Sequence, residues 1–171
     1  MFISFDQLPG HARVWVYQSD RRLSDDEMRF IEQEGVSFSD QWATHGQSLC
    51  ASVIVRHHHF LIIAVDERQQ GASGCSIDSS VGFVRSVADA LGKAGAPVDF
   101  FDRTLVAFWK DNAVALVPLG EAKEQIAAGG IPADNYLFNN VIATKAALED
   151  EWKVPVRSSW LARYLPKVEV S

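Results

Sequence analysis

The run Phe60-Leu61-Ile62-Ile63-Ala64-Val65 is apolar at every position. A strand with one face in water alternates apolar and polar side chains. An unbroken run of this length predicts a strand buried on both faces, at the centre of a sheet. The run ends at Asp66-Glu67 and passes through the small-residue loop Gly71-Ala72-Ser73-Gly74-Cys75-Ser76. A helix is expected to open at Ile77-Asp78. The rest of the chain must supply neighbours for this strand.

The other segments read in order. Residues 13–17 form a first strand, rich in β-branched and aromatic side chains. Ser24 with Glu27 three residues on is a capping box, and Asp25 and Asp26 suit the positive end of a helix dipole. Ile31, Gly35, Phe38 and Trp42 then mark a buried helical stripe, and His45-Gly46 is expected to stop the helix. Residues 49–56 are a second strand, turning through His57-His58-His59 into the apolar third. The second helix is expected to bury Ile77, Val81, Val84, Ala88 and Leu91. Residues 104–110 and 113–117 form a hairpin about Asp111-Asn112. A helix near 121–128, a brief strand at 136–138, a helix capped by Thr144 and a short turn of helix after Ser158-Ser159-Trp160 complete the chain. The order β-α-β-β-α-β, with an added hairpin and a helical tail, predicts an α+β, ferredoxin-like split β-α-β sandwich. A ribonuclease-H-like mixed sheet is the alternative. With 47% hydrophobic residues in 171, one domain is expected, its core at about 13–117 and a C-terminal extension over about 118–171.

Charge excludes some functions. Lys plus Arg is 16 and Asp plus Glu is 22, for a net charge of −6. Without a basic run, nucleic-acid binding is not expected. No stretch approaches the roughly 20 apolar residues of a membrane span, and residues 1–6 do not read as a signal peptide. Cys50 and Cys75 make neither a CxxC pair nor a disulfide framework, which suits a reducing cytoplasm.

In the expected fold His45-Gly46, Asp66-Glu67 and the 71–76 loop meet at one sheet edge, with the Asp111-Asn112 turn on the same side. Asp20, Arg21 and the three histidines fall at the opposite edge. Backbone N–H groups at a helix start point outward without partners, so Gly71, Ser73, Gly74, Ser76 and Asp78 are candidates for binding a small anionic ligand. Cys75 beside that helix start is a candidate nucleophile, His45 its base, and Asp66 and Glu67 candidate acid–base groups. A plainer reading stands beside each. The two glycines shape a turn, Ser76 or Asp78 caps the helix, and acidic strand ends are solvated. The Walker A and GxGxxG patterns are absent, and the position six residues after Cys75, where a phosphatase-type loop carries Arg, is Val81. Consecutive histidines on a strand face alternate ways, so a turn explains them better than a metal site. Which cofactor, if any, the chain uses is not given by the sequence. The function expected from the residues is small-molecule binding, or a hydrolase-type enzyme, at the edge from Asp66 to Asp78. The alternative is a non-catalytic protein-interaction module or homo-oligomeric assembly, suggested by the abundant aromatics.

Several segments together resemble one family. They are Val14-Trp15-Val16-Tyr17 with Asp20-Arg21, Gln41-Trp42 with His45-Gly46, Ala64-Val65-Asp66-Glu67, and Gly71 to Asp78. Phe101-Asp102-Arg103, Phe138-Asn139-Asn140 and Ser159-Trp160 complete the set. The chain is similar over nearly its whole length to short, uncharacterised bacterial cytoplasmic proteins. Some of these are labelled "ABC transporter ATPase", although the sequence has neither a Walker A lysine loop nor an LSGGQ-type signature. The resemblance implies kinship and a cytoplasmic setting, and carries no activity. The triple histidine departs from the family's turn residues.

Overall fold

The computed structural model describes residues 1–44, 46–67 and 74–167. Strand β1 (Arg13–Gln18) leads to helix α1 (Asp25–Gln41). Two-residue strands β2 (Ala43–Thr44) and β3 (Gln47–Ser48) follow, then β4 (Cys50–Arg56) and β5 (Phe60–Asp66). Helix α2 spans Gly74–Lys93. The hairpin β6 (Leu105–Lys110) and β7 (Ala113–Pro118) runs into α3 (Leu119–Ala127). Strand β8 (Tyr136–Phe138), helix α4 (Lys145–Asp150) and strand β9 (Lys153–Pro155) complete the regular elements. The fold is α+β, with antiparallel sheets.

The chain groups into two compact units, residues 1–102 with 140–150, and 103–139 with the chain from 151 on. In the first unit the sheet order is β1-β5-β4, with both pairings antiparallel. The apolar run is therefore the central strand, and Phe60 to Val65 are all fully buried. Each such Phe, Leu, Ile or Val contributes about 1.5–3 kcal/mol by burial. The odd-numbered side chains of β4 and β5, among them Val53, Val55, Leu61, Ile63 and Val65, pack with Ile31 of α1 and Phe83, Val84, Val87 and Leu91 of α2. Both helices thus cover one face of the sheet.

The capping box forms as expected: Ser24 Oγ accepts the Glu27 N–H, and the Glu27 carboxylate accepts the Ser24 N–H. At Gly35 the helix backbone comes so close to β4 that a Cβ would lie 2.4 Å from Val53 Cβ. The outer edge of β1 is closed by the segment before α4, where Val14 N–H donates to the Ala143 carbonyl and Lys145 N–H to that of Ala12. Lys145 is itself buried, and its ammonium donates to the carbonyls of Asp6 and Leu8.

The second unit carries a sheet in the order β7-β6-β8-β9. Its core joins Val106, Phe108, Ala122, Ile126, Leu137, Val156 and Leu161. The strand expected fourth, at 104–110, thus forms the predicted hairpin but pairs with β8 on its other side.

Some local details differ from the sequence reading. Helix α1 ends at Gln41, and Gly46, with φ +78°, shapes the turn between β2 and β3 instead of capping the helix. Helix α2 begins at Gly74, so Ser76 and Asp78 lie inside its first turns and not at its cap. Ile77 is exposed, and Ser80 takes the buried place in that turn. In the tail Leu161 is buried and Trp160 exposed.

Candidate functional site

The two acidic residues after the apolar run part company. Asp66 is the last residue of β5, and Glu67 lies just beyond it. Asp66 lies opposite Cys50 in the β4–β5 ladder, and its carboxylate is 3.4 Å from Nε2 of His11. Cys50 is a free thiol, half-buried. Glu67, the first residue past the strand, is half-buried.

Arg13 at the start of β1 stands opposite Val65, on the face that the helices cover. Its guanidinium sits 5.0 Å above the ring of Trp15. Trp15 in turn lies 6.1 Å from Trp42, which follows the last turn of α1, and Trp42 packs at 4.8 Å on Phe38. The strand ends and the end of α1 are thus joined through aromatic contacts.

The polar atoms of this group are incompletely satisfied. Arg13 Nε and Trp42 Nε1 are each buried without a hydrogen-bond partner, and so is Glu67 Oε1. More than nine in ten buried polar groups in folded proteins have one. Burial raises the Glu67 carboxyl above its ordinary range, and the positive charge of Arg13 pulls it partly back. Both residues remain partly open to solvent.

An Arg–Glu pair elsewhere in the same unit is closed. The Arg21 guanidinium donates to both Glu27 oxygens, at 2.9 and 2.6 Å, and to the carbonyls of Arg22, Ala96 and Pro97. This holds the Glu27 carboxyl down to about 2. Arg21 ties together the loops at the opposite end of the sheet, where the expected grouping with the histidines is found. His58 and His59 carbonyls accept the N–H groups of Leu23 and Ser19. His57 and His58 take left-handed backbone, with φ 53° and 58°, as turn residues. His59 is buried and held below its ordinary range, chiefly by that burial.

The remaining predicted site residues are placed as follows. His45, Gly71 and Ser73 lie outside the described residues. Gly74, Cys75 and Ser76 form the first turn of α2, which begins seven residues after Glu67. Asp78 is exposed one turn on. The Asp111-Asn112 turn belongs to the second unit, closing β6 onto β7. Among the described residues no group of His, Cys, Asp and Glu could hold a metal ion. Sequence reasoning missed Arg13, because a charged residue at the head of a strand reads as solvated. Its signal is visible only once β1 is set beside β5.

A separate open cleft of about 480 Å³ lies in the first unit between α1, β4 and residues 2–6, with Phe2 and Val36 exposed beside it. No described helix is long and apolar enough to cross a membrane. Compared with known proteins, the chain matches no protein-family model, no curated protein and no solved structure.

Proposed function

We propose that the chain is a small-molecule-binding protein of the cytoplasm that takes a ligand bearing a carboxylate or phosphate at the end of β5, with Arg13 as the anion-binding group. The observation that carries this reading is that Arg13, at the start of β1, and Glu67, just past the end of β5, each have a buried polar atom with no hydrogen-bond partner. A guanidinium left without a carboxylate retains its fork of donors for an oxyanion. The guanidinium rests over the ring of Trp15, which in turn packs with Trp42.

The test is thermal unfolding with a panel of metabolite carboxylates and phosphate esters. A ligand at about 100 times its Kd stabilises the folded state by about 2.7 kcal/mol. In a chain of this size that shifts the midpoint by several degrees. Arg13→Ala should fold and lose the shift. Failure of every compound to move the midpoint, or a shift that survives Arg13→Ala, counts against the proposal.

A second reading, a non-catalytic interaction or assembly module, is favoured by the cleft beside Phe2 and Val36. Exposed apolar groups rimmed by charge, here Arg29, Glu32 and Arg56, suit a protein partner or a second copy. Light scattering over a concentration series that shows monomer throughout, with an empty pull-down, removes it.

A further inference from the structure

We infer that two copies of this chain pair through strand β7, edge to edge and antiparallel, about a two-fold axis at Ala115. This pairing does not depend on the ligand site above. The chain treats the outer edges of its two larger sheets in different ways. The edge of β1 is covered by the segment at Ala143 and Lys145. The edge of β4 is covered by residues 1–3, where Ile3 N–H donates to the Ala51 carbonyl and Ala51 N–H to that of Met1. Further along β4, the Glu32 carboxylate accepts the Val55 N–H. Strand β9 is three residues long and carries Lys153 and Pro155 at its ends. Cover, shortness, lysine and proline are the devices that stop one sheet from adding to another. Strand β7 is the other edge of the second unit's sheet. It is six residues long, Ala113-Val114-Ala115-Leu116-Val117-Pro118, and pairs with β6 one to one without a bulge. Only Pro118 blunts it, at its far end. No charged residue lies between Asp111 and Glu121.

The free groups of β7 are arranged for a copy of itself. The turn Asp111-Asn112 is left-handed at both residues, with φ 54° and 58°, so Lys110 and Ala113 make the first hydrogen-bonded pair of the hairpin. At the other end Leu119 N–H donates to the Thr104 carbonyl, in the same phase. Bonds to β6 therefore fall on Ala113, Ala115 and Val117. The N–H and C=O of Val114 and Leu116 point away from β6 and have no partner among the described residues. Both residues are half-buried, so the edge is within reach of another strand. These groups stand symmetrically about Ala115. An antiparallel second copy sets Val114 of each chain opposite Leu116 of the other, and every free N–H meets a free C=O. The peptide dipoles are thus complementary across the axis. The side chains that meet are Val114 with Leu116, Ala113 with Val117, and Ala115 with itself. All are apolar, and the smallest sits on the axis. Each chain has a net charge of −6, yet no like charges oppose one another along the paired stretch. The same patch serves both copies, so the contact closes at two.

The experiment is sedimentation equilibrium on the full chain from about 1 μM to about 1 mM, a range that spans weak to moderate association. The mean mass should rise from that of one chain to that of two and stop there. Amide exchange followed by NMR should slow at Val114 and Leu116 as the pair forms. Leu116→Pro removes an N–H that β6 does not use, so the hairpin keeps its bonds. It should raise the dissociation constant at least about tenfold, since a partner carbonyl is left without its donor. Ala115→Lys and Ala115→Glu each place like charges face to face on the axis, and each should stay monomeric. Their equimolar mixture should pair again. Circular dichroism confirms that the variants are folded. Should one not fold, the wild-type mass series and its amide exchange still decide. A single chain at every concentration would overturn the proposal. So would a dimer that survives Leu116→Pro and both Ala115 variants, which would move the contact to another face, such as the cleft beside Phe2 and Val36. Growth beyond two chains would overturn the two-fold contact as well.

Discussion

Glu27 and Glu67 are linked to folding with opposite signs. Glu27 is held at about 2, chiefly by its hydrogen bonds from Arg21, against an ordinary 4.5. Its contribution is present above pH 4.5 and is lost as pH falls through about 2. With the Arg21 side chain one-third exposed, solvent screening reduces the contribution to about 1–2 kcal/mol. Glu67 is raised by burial, so the folded state binds its proton more tightly than the unfolded chain does. Its ionisation therefore lowers stability as pH rises above 4.5. Chemical denaturation of Glu27→Gln and Glu67→Gln across pH 2 to 8 should show the first variant weaker than wild type at neutral pH. The second should be stronger there, and its advantage should fade as pH drops below 4.5. A Glu67→Gln variant weaker than wild type at pH 7 would mean that the carboxylate has a structural partner.

At the scale of elements, glycine in a helix has two opposite meanings here. Gly35 of α1 has no room, with Val53 Cβ and both its methyls within 3.0 Å of where a Cβ would stand. Gly82 of α2 faces open space. Gly35→Ala should destabilise by about 1–3 kcal/mol, since overpacking outweighs the gain in helix propensity. Gly82→Ala should stabilise by about 0.5–1 kcal/mol. Urea midpoints of the two variants moving in the same direction would contradict this account of α1 on β4. The capping box at Ser24, the His57–His59 turn and the central β5 were legible because each rests on a local pattern. The end of α1 was not. His45-Gly46 carries a stop signal, yet the backbone turns extended at Trp42, whose ring packs against Phe38 and Trp15. The start of α2 was read late because Gly74 has low helix propensity, a penalty that matters little in a first turn. The arrival of Arg13 at the end of β5 was not legible either, since it required the register of β1 on β5, which sets Arg13 opposite Val65.

Across the whole molecule, the α+β class was legible, and so was the order β1-β5-β4 that a split β-α-β pattern implies. Which sheet the strand at 105–110 joins was not. Periodicity shows which face of a strand is apolar but does not name the neighbour, and here that neighbour is β8. Nor could the tail be divided from the sequence, since residues 140–150 group with the first unit and the chain beyond them with the second. Ending the chain after Asn139 removes from the first unit the hydrogen bonds that Val14 makes to Ala143 and Lys145 to Ala12, and from the second the strand β9. An uncovered strand edge invites pairing between chains. The truncated protein should therefore melt without a single sharp transition and aggregate in light scattering. A monomer with the wild-type melting curve would show that the strap on β1 is dispensable.

The chain passes between its two units three times, after residues 102, 139 and 150. On a ribosome this ordering delays completion. The central strand emerges early, but the segment that closes its sheet's outer edge emerges only after most of the other unit has been made. Nascent chains paused before residue 140 would be the species that most needs a chaperone.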